Sequence, residues 1–512
     1  PALCLVRCAQ DRCDDGFSCR DAVCLPDAVA ALTSNDEPEP GNAADAGAVP
    51  LPPLSLCASD SVVWRSLAID DQRGYDALEG CERVDGDLSI TLQDDADLQA
   101  LRSLRVVTGV LQVVAGGVEQ DPAPLRATLP GLENIEHVGG LLLRAPLSSL
   151  QTFARLRSIG PTSGSNLARG QLQLSTGTLR DLNGLALEEV DTIMAESEPL
   201  ESLTGLGSAR VRALYLTNSD ITDMSGLEAV TGLADVALIG NAGLASLRGL
   251  PAESEITDFT ADGNVSLTSL EGLAAPSEMS RITLSNCPIS DFTALSTLTT
   301  VSDSLTILGA AVETLDALTN LRSASTLSLF DNPNLIHADA LQDMLALSEL
   351  EVSGNAALLR LPAIASVNQT LSVVIASNPL LASGPSFPAV TDGVTITLTD
   401  NPLLTRVDGF AGVEQLYGLV IARNASLNEL DFGALTTVTS RLEVRGNAAL
   451  PAAQVAPLRE LQVASGEVYI SAADAPSLLD PCPFLADGVC DETSGDCAVG
   501  TDFGDCPSAG AP

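Results

Sequence analysis

The chain has 512 residues, of which 67 are acidic and 25 basic, for a formal net charge of −42, and it contains no lysine. That balance argues against duplex DNA and anionic membrane surfaces as partners, and without lysine there is no phosphate-binding P-loop. Most of the charge is read as a solvated surface that keeps the chain soluble by self-repulsion.

In chain order, the first element is a cysteine-rich segment, residues 1–25, with Cys4, Cys8, Cys13, Cys19 and Cys24. Five is an odd number, so either an upstream partner is missing or one thiol is free. Residues 26–56 are rich in Pro, Ala, Asp and Glu and poor in core-forming side chains, which predicts an extended linker. Cys57 and Cys81 open the next region, residues 57–480, which reads as a repeat array. Strand-opening leucines lie at Leu88, Leu111, Leu141 and Leu172, spaced 23, 30 and 31, so insertions loop out there.

Farther on the period becomes regular. Asparagines recur at Asn218, Asn241, Asn264, Asn286, Asn332, Asn355, Asn378, Asn401, Asn424 and Asn447, with differences of 23, 23, 22, 46 and then five of 23. Each follows a short alternating strand, as in LYLTNSDI from Leu214 and LEVSGNAAL from Leu350. Alternation sends Leu214 and Leu216 inward and Tyr215 and Thr217 outward. An amide both donates and accepts, so these ten side chains are expected to stack as a buried ladder that satisfies the turning backbone. The tooth missing between Asn286 and Asn332 falls at Gly309 and Ala310, and Cys287 is expected as a buried unpaired thiol beside the ladder. With weak rungs near Ile193 and Val468, about 17 rungs of mostly 22–23 residues are predicted, stabilised by nearest neighbours and needing caps at both ends.

Outward strand positions include Tyr215, Thr217, Ala237, Ile239, Thr260, Asp262, Thr283, Ser285, Thr306, Leu308, Ser328, Phe330, Glu351 and Ser353, and only two of these fourteen are charged. Tyr215, Ile239, Leu308 and Phe330 are the candidate ligand-binding residues, because several apolar groups on one flat face favour contact. Thr260, Thr283 and Thr306 give one threonine per rung, too few for an ice-binding face. The last element, residues 481–512, holds Cys482, Cys490, Cys497 and Cys506 among many carboxylates. Asp491, Asp502 and Asp505 are candidate ligands for Ca²⁺, which takes hard oxygens; a solvated acidic tail is the alternative. Cysteines gathered at the ends, with no C-x-x-C knuckle and with His137 and His337 remote, point to disulfides and an oxidising compartment rather than zinc.

The metronomic Asn behind an L-x-[LIV] pair is the signature of a leucine-rich repeat. The segment Cys57 to Ile90, C-x23-C followed by ERVDGDLSIT, resembles the start of a receptor L domain at Cys57, Cys81, Val84, Gly86, Leu88 and Ile90. The phrase recurs as VTGVLQV around Gly109 and VGGLLLR around Gly140, so the resemblance covers about residues 57–180. ITDMSGLEAVTGL and ISDFTALSTLTT resemble bacterial internalin-type repeats. Together these resemblances imply a capped right-handed β-solenoid that binds macromolecules through one face. They place the cap at residues 57–81, where a Cys57–Cys81 disulfide closing about 25 residues contributes about 3 kcal/mol by restricting the unfolded chain. The N-terminal cysteines resemble small secreted knot-like modules. The C-terminal DGVCDE…DFGDC phrasing resembles, loosely, the calcium-binding Lin-12/Notch repeat, which has six cysteines against four here.

No catalytic set stands out: there is no HExxH and no Ser-His-Asp arrangement legible in sequence. The sequons at Asn264 and Asn424 fall on ladder positions and are expected to be buried and unmodified. No apolar run reaches the about 20 residues of a membrane-spanning helix. A start at Pro1 rather than Met points to a removed export signal or a truncated chain, with a lipid anchor left open. The expected function is therefore an exported, cell-surface, non-catalytic recognition protein that binds a protein or glycan on its sheet face. The alternative is a structural spacer or assembly unit of the cell envelope.

Overall fold

Alternating apolar pairs repeated every 22–23 residues build parallel strands, because each rung can bury its inward side chains only against the rung on either side. The structure is a computed structural model that describes residues 17–20, 23–26, 56–57, 61–93, 97–116, 125–160, 170–364, 371–387, 392–464 and 468–470. It is a parallel β-solenoid, and the chain divides into two compact units, Pro1–Leu298 and Thr299–Pro512.

In the first unit, strands Gln171–Leu174, Glu189–Glu196, Arg210–Thr217, Asp235–Ile239, Asp258–Asp262 and Glu278–Ser285 pair in parallel. One inward column runs Leu172, Ile193, Leu214, Val236, Phe259 and Ile282, all at most 1% exposed. Side chains of this size each contribute about 1.5–3 kcal/mol when fully buried. Upstream, strands Leu88–Leu92, Val106–Ala115 and His137–Arg144 continue the sheet. The first rung comes earlier than the sequence suggested: Leu67–Ile69 pairs with the strand opened by Leu88, setting Leu67 opposite Leu88 and Ile69 opposite Ile90.

A second, shorter parallel ladder accompanies the first. It is built from Val62–Val63, Arg83–Val84, Val106–Val107, His137–Val138, Ser158–Ile159, Glu189–Val190 and Arg210–Val211. The chain turns a corner between the two ladders, and the recurring glycines sit there. A Cβ on Gly109 would lie 2.6 Å from the Gly86 carbonyl, and one on Gly139 would lie 2.4 Å from the Thr108 carbonyl oxygen. In the first two phrases V-x-G-x-L thus places valine in one ladder, leucine in the other, and a backbone contact between them that no side chain fits. In the third phrase the crowded glycine is Gly139, one residue before the Gly140 read from sequence.

The Cys57–Cys81 disulfide is present at the start of this unit. Between its cysteines, helix Gln72–Asp76 is capped by Asp71, whose carboxylate accepts from the Gly74 N–H at 2.8 Å. The helix buries Tyr75, whose hydroxyl donates to the Thr91 carbonyl at 2.6 Å and so ties the cap to the following rung.

In the second unit, strands Thr300–Leu308, Ser323–Phe330, Glu349–Ser353, Leu371–Ala376, Asp392–Thr399, Gln415–Ala422, Leu442–Arg445 and Val468–Ile470 stack in parallel. Opposite the sheet, Phe387, Phe410 and Phe432 stack one per rung with ring centroids 5.7 and 5.6 Å apart. Of the N-terminal module, the described part is an antiparallel hairpin, Phe17–Arg20 with Val23–Pro26, in which Cys19 stands opposite Cys24 in register. Cys4, Cys8 and Cys13, most of the linker, and the whole C-terminal module with Asp491, Asp502 and Asp505 lie outside the described residues.

Candidate functional site

The buried ladder exists, and its membership differs from the sequence reading at two positions. In the second unit Asn332, Asn355, Asn378, Asn401 and Asn424 are fully buried and Asn447 is 5% exposed. Each side-chain oxygen accepts from the backbone N–H one rung back, as Asn355 Oδ1 does from Asn332 at 3.1 Å and Asn424 Oδ1 does from Asn401 at 3.0 Å. Each amide nitrogen donates to a carbonyl on the strand one rung back, for example Asn378 Nδ2 to Val352 at 3.0 Å. Asn241 and Asn264 do the same in the first unit, with Asn241 Oδ1 accepting from Ser219 at 2.8 Å. Burial of Asn264 and Asn424 at 0% exposure leaves no room for a glycan on either sequon.

Asn218 and Asn286, however, are exposed and sit one residue ahead of the ladder. Both have φ of 52°, the left-handed turn position that is occupied elsewhere by Gly240, Gly263, Gly309, Gly354 and Gly446. Asparagine tolerates that conformation almost as glycine does, so it appears at two adjacent positions of the repeat for two different reasons. The residues actually in the ladder there are Ser219, 3% exposed, and Cys287, 1% exposed. Cys287 Sγ accepts from the Asn264 N–H at 3.3 Å and its thiol donates to the Ser285 carbonyl at 3.2 Å. Burial pushes that thiol's pKa up, so it stays protonated. Ala310 fills the tooth expected to be missing, and its N–H still donates to Asn332 Oδ1 at 2.9 Å.

The ladder is extended at its start by a residue the sequence did not single out. Glu198, fully buried, accepts from the N–H groups of Thr176, Gly177, Thr178 and Leu179 and from the Thr176 hydroxyl. The two carboxylate oxygens share these five donors, more than the single oxygen of a ladder amide takes up.

Outward on the first unit, Tyr215 and Ile239 are half-buried in neighbouring columns of the sheet. The Tyr215 hydroxyl donates to the Asp235 carboxylate, and burial, then the Asp235 charge, pushes the phenol far above its usual range. Burial likewise raises Asp235. Several neighbours expected to face solvent are instead covered: Ala237 is 8%, Thr260 5%, Asp262 6% and Thr283 4% exposed. Ala237 lies beside the taller Tyr215 and Asp262 beside Ile239, while Thr260 and Thr283 are register partners that cover each other on strands about 4.8 Å apart. In the second unit Leu308 and Phe330 are register partners and both half-buried. The four residues thus form two pairs, one in each unit.

A second constellation, on the short ladder of the first unit, escaped the sequence reading. Register sets His137, Ser158, Glu189 and Arg210 side by side on consecutive rungs. A cavity of about 510 Å³ opens over them, with Asp191 and Arg212 also on its wall. His137 Nδ1 lies 2.7 Å from Ser158 Oγ, while His137 Nε2 is buried with no hydrogen-bond partner. Burial, then the Arg83 charge, lowers the His137 pKa, so the ring is neutral at pH 7. Arg212 grips Asp191 through two bonds of 2.7 and 3.0 Å, and this holds the Asp191 carboxyl below its usual range. Arg210 is held more loosely, 3.9 Å from Glu189. The sequence did carry a trace of this arrangement: EVD at Glu189 and RVR at Arg210 are opposite charges in the same phase, 21 residues apart. Among the described residues no group of three or more His, Cys, Asp or Glu is placed to hold a metal ion.

No family model and no curated protein matches the chain. Among solved structures, it is similar to the functional domain of InlJ from Listeria monocytogenes, described as including a cysteine ladder. The match has 14% identity over 70% of this chain and 69% of that one, with a TM-score of 0.22, at which the two do not superpose as wholes.

Proposed function

We propose that the protein is an exported, cell-surface, non-catalytic recognition protein that binds a protein or glycan on the outward face of its parallel sheet. The observation that carries the proposal is the character of that face in the second unit. Over the six strands from Thr300–Leu308 to Gln415–Ala422 its two outward columns read Thr306, Ser328, Glu351, Val374, Thr397, Val420 and Leu308, Phe330, Ser353, Ala376, Thr399, Ala422, so Glu351 is the one charge among them, and Glu443 and Arg445 end the strip on the next strand. In a chain of net charge −42, a strip so nearly free of charge has an unusually low desolvation cost on contact. Phe330 and Leu308 supply the apolar anchors, and Tyr215 and Ile239 do so in the first unit. The Cys57–Cys81 disulfide supports an oxidising compartment. The glycine corners at Gly86, Gly109 and Gly139 support a receptor L-domain kinship for the N-terminal part. Binding to glycan and cell-surface protein arrays by the whole chain and by Phe330→Ala with Leu308→Ala tests the reading, since central anchors commonly contribute about 1–4 kcal/mol. Ligands retained at unchanged affinity by the double variant would count against the face.

A second reading, a structural spacer or assembly unit of the envelope, is favoured by one observation. In the second unit Ile336, Leu359, Leu380 and Leu403 are 37–45% exposed along the edge that follows the Asn ladder. Concentration-dependent growth in light scattering supports assembly, and a strict monomer at high concentration removes it.

A further inference from the structure

We propose that the cavity over the short ladder of the first unit binds an acidic sugar of the hexuronate class through Arg210, Arg212, Glu189 and Asp191. Its volume of about 510 Å³ falls in the range of small-ligand pockets, about 300–1,000 Å³. Each wall group has a defined job. Arg212 is fixed in place by its two bonds to Asp191, so its remaining N–H groups are pre-organised donors. Arg210 is 3.9 Å from Glu189 with both side chains well exposed, a pairing weak enough for a ligand carboxylate to displace. His137, held by Ser158 through Nδ1 and closed off at Nε2, lines the cavity as a fixed part of its wall.

The charge balance selects the ligand class. Two guanidiniums face two carboxylates, so the wall carries no net charge and alternates donors with acceptors. Sugar hydroxyls, which donate and accept, match that alternation: they donate to Glu189 and Asp191 and accept from Arg212. A single carboxylate engages Arg210. Phosphate, an acceptor carrying close to two charges, is disfavoured by the two acids on the wall and by the field of a −42 chain. The cavity is a separate place from the sheet strip of the second unit, so the proposal stands whatever binds there.

The test is calorimetric or ligand-observed NMR titration of the full chain with D-glucuronate and D-galacturonate, with methyl β-glucoside and inorganic phosphate as comparators. Saturable one-site binding of a uronate is expected, weakened about tenfold or more in Arg210→Ala, the loss typical of a charge-assisted hydrogen bond. Methyl β-glucoside is expected to bind at least as much more weakly. Arg210 is well exposed, so its variant keeps the fold, which circular dichroism checks. No saturation by either uronate overturns the proposal. So does unchanged affinity in Arg210→Ala, or phosphate binding as tightly as the uronates. Phe330→Ala should leave uronate binding untouched, so failure here is distinguishable from failure of the sheet-face reading.

Discussion

Asn355→Ala removes a side chain that is fully buried and makes five hydrogen bonds. Its oxygen accepts from the Asn332 N–H and the Asn332 side-chain amide, both at 3.1 Å. Its nitrogen donates to the Leu329 carbonyl at 2.9 Å, the Ser353 carbonyl at 3.1 Å and Asn378 Oδ1 at 3.1 Å. Alanine leaves the Asn332 N–H buried without its acceptor and the Leu329 carbonyl without this donor. Each buried group so deprived costs about 1–3 kcal/mol, so the pair costs about 2–6 kcal/mol. In a solenoid that loss is local, so unfolding midpoints of the whole chain understate it. The direct assay is hydrogen exchange of the Asn332 amide, which should quicken by orders of magnitude while amides several rungs away hold. The control is Asn218→Gly, the same residue type at the exposed turn position, which should be neutral because glycine occupies that position in five other rungs. A cost below about 1 kcal/mol for Asn355→Ala, or equal effects of the two variants, would refute the ladder's energetic role.

Other outcomes follow from the same geometry. Cys287→Asn restores an amide at a ladder position now held by a weak sulfur acceptor and should stabilise the first unit by about 1 kcal/mol in urea unfolding. Phe410→Ala, which breaks the middle of the phenylalanine stack, should cost about 3–5 kcal/mol by the same measurement. Asp262→Asn should stabilise at neutral pH, because burial raises the Asp262 pKa and the folded chain there holds a carboxylate against its preference. As pH falls through that raised value the wild-type carboxyl protonates and the penalty fades, so the advantage should vanish below about pH 3.9, the unfolded pKa. An advantage that persists at pH 3 would show that charge burial is not its source. Gly109→Ala should disrupt the first unit, since its Cβ would meet Asp87 and the Gly86 backbone; protease sensitivity is the readout.

The repeat was legible from sequence because its physics is local and periodic. Inward leucines, the strand alternation and eight of the ten ladder asparagines follow from one rung's chemistry copied along the chain. The pairing of Cys57 with Cys81 followed from the resemblance to a receptor L domain, whose cap those two positions match. The phase errors at Asn218 and Asn286 arose where one residue type serves two adjacent positions. At Asn286 the irregular step of 22 from Asn264, against 23 from Asn264 to Cys287, was the sign of it, whereas the step from Asn218 to Asn241 is a regular 23. Tertiary structure alone decided what no single rung contains. Whether Thr260 or Asp262 is covered depends on which side chains stand in register with it one rung away, and Glu198 acquires its role from four amide groups contributed by the preceding rung. The cavity needs His137, Glu189 and Arg210, which are 52 and 21 residues apart in sequence. They become neighbours because the backbone hydrogen bonds hold rungs of unequal length in register.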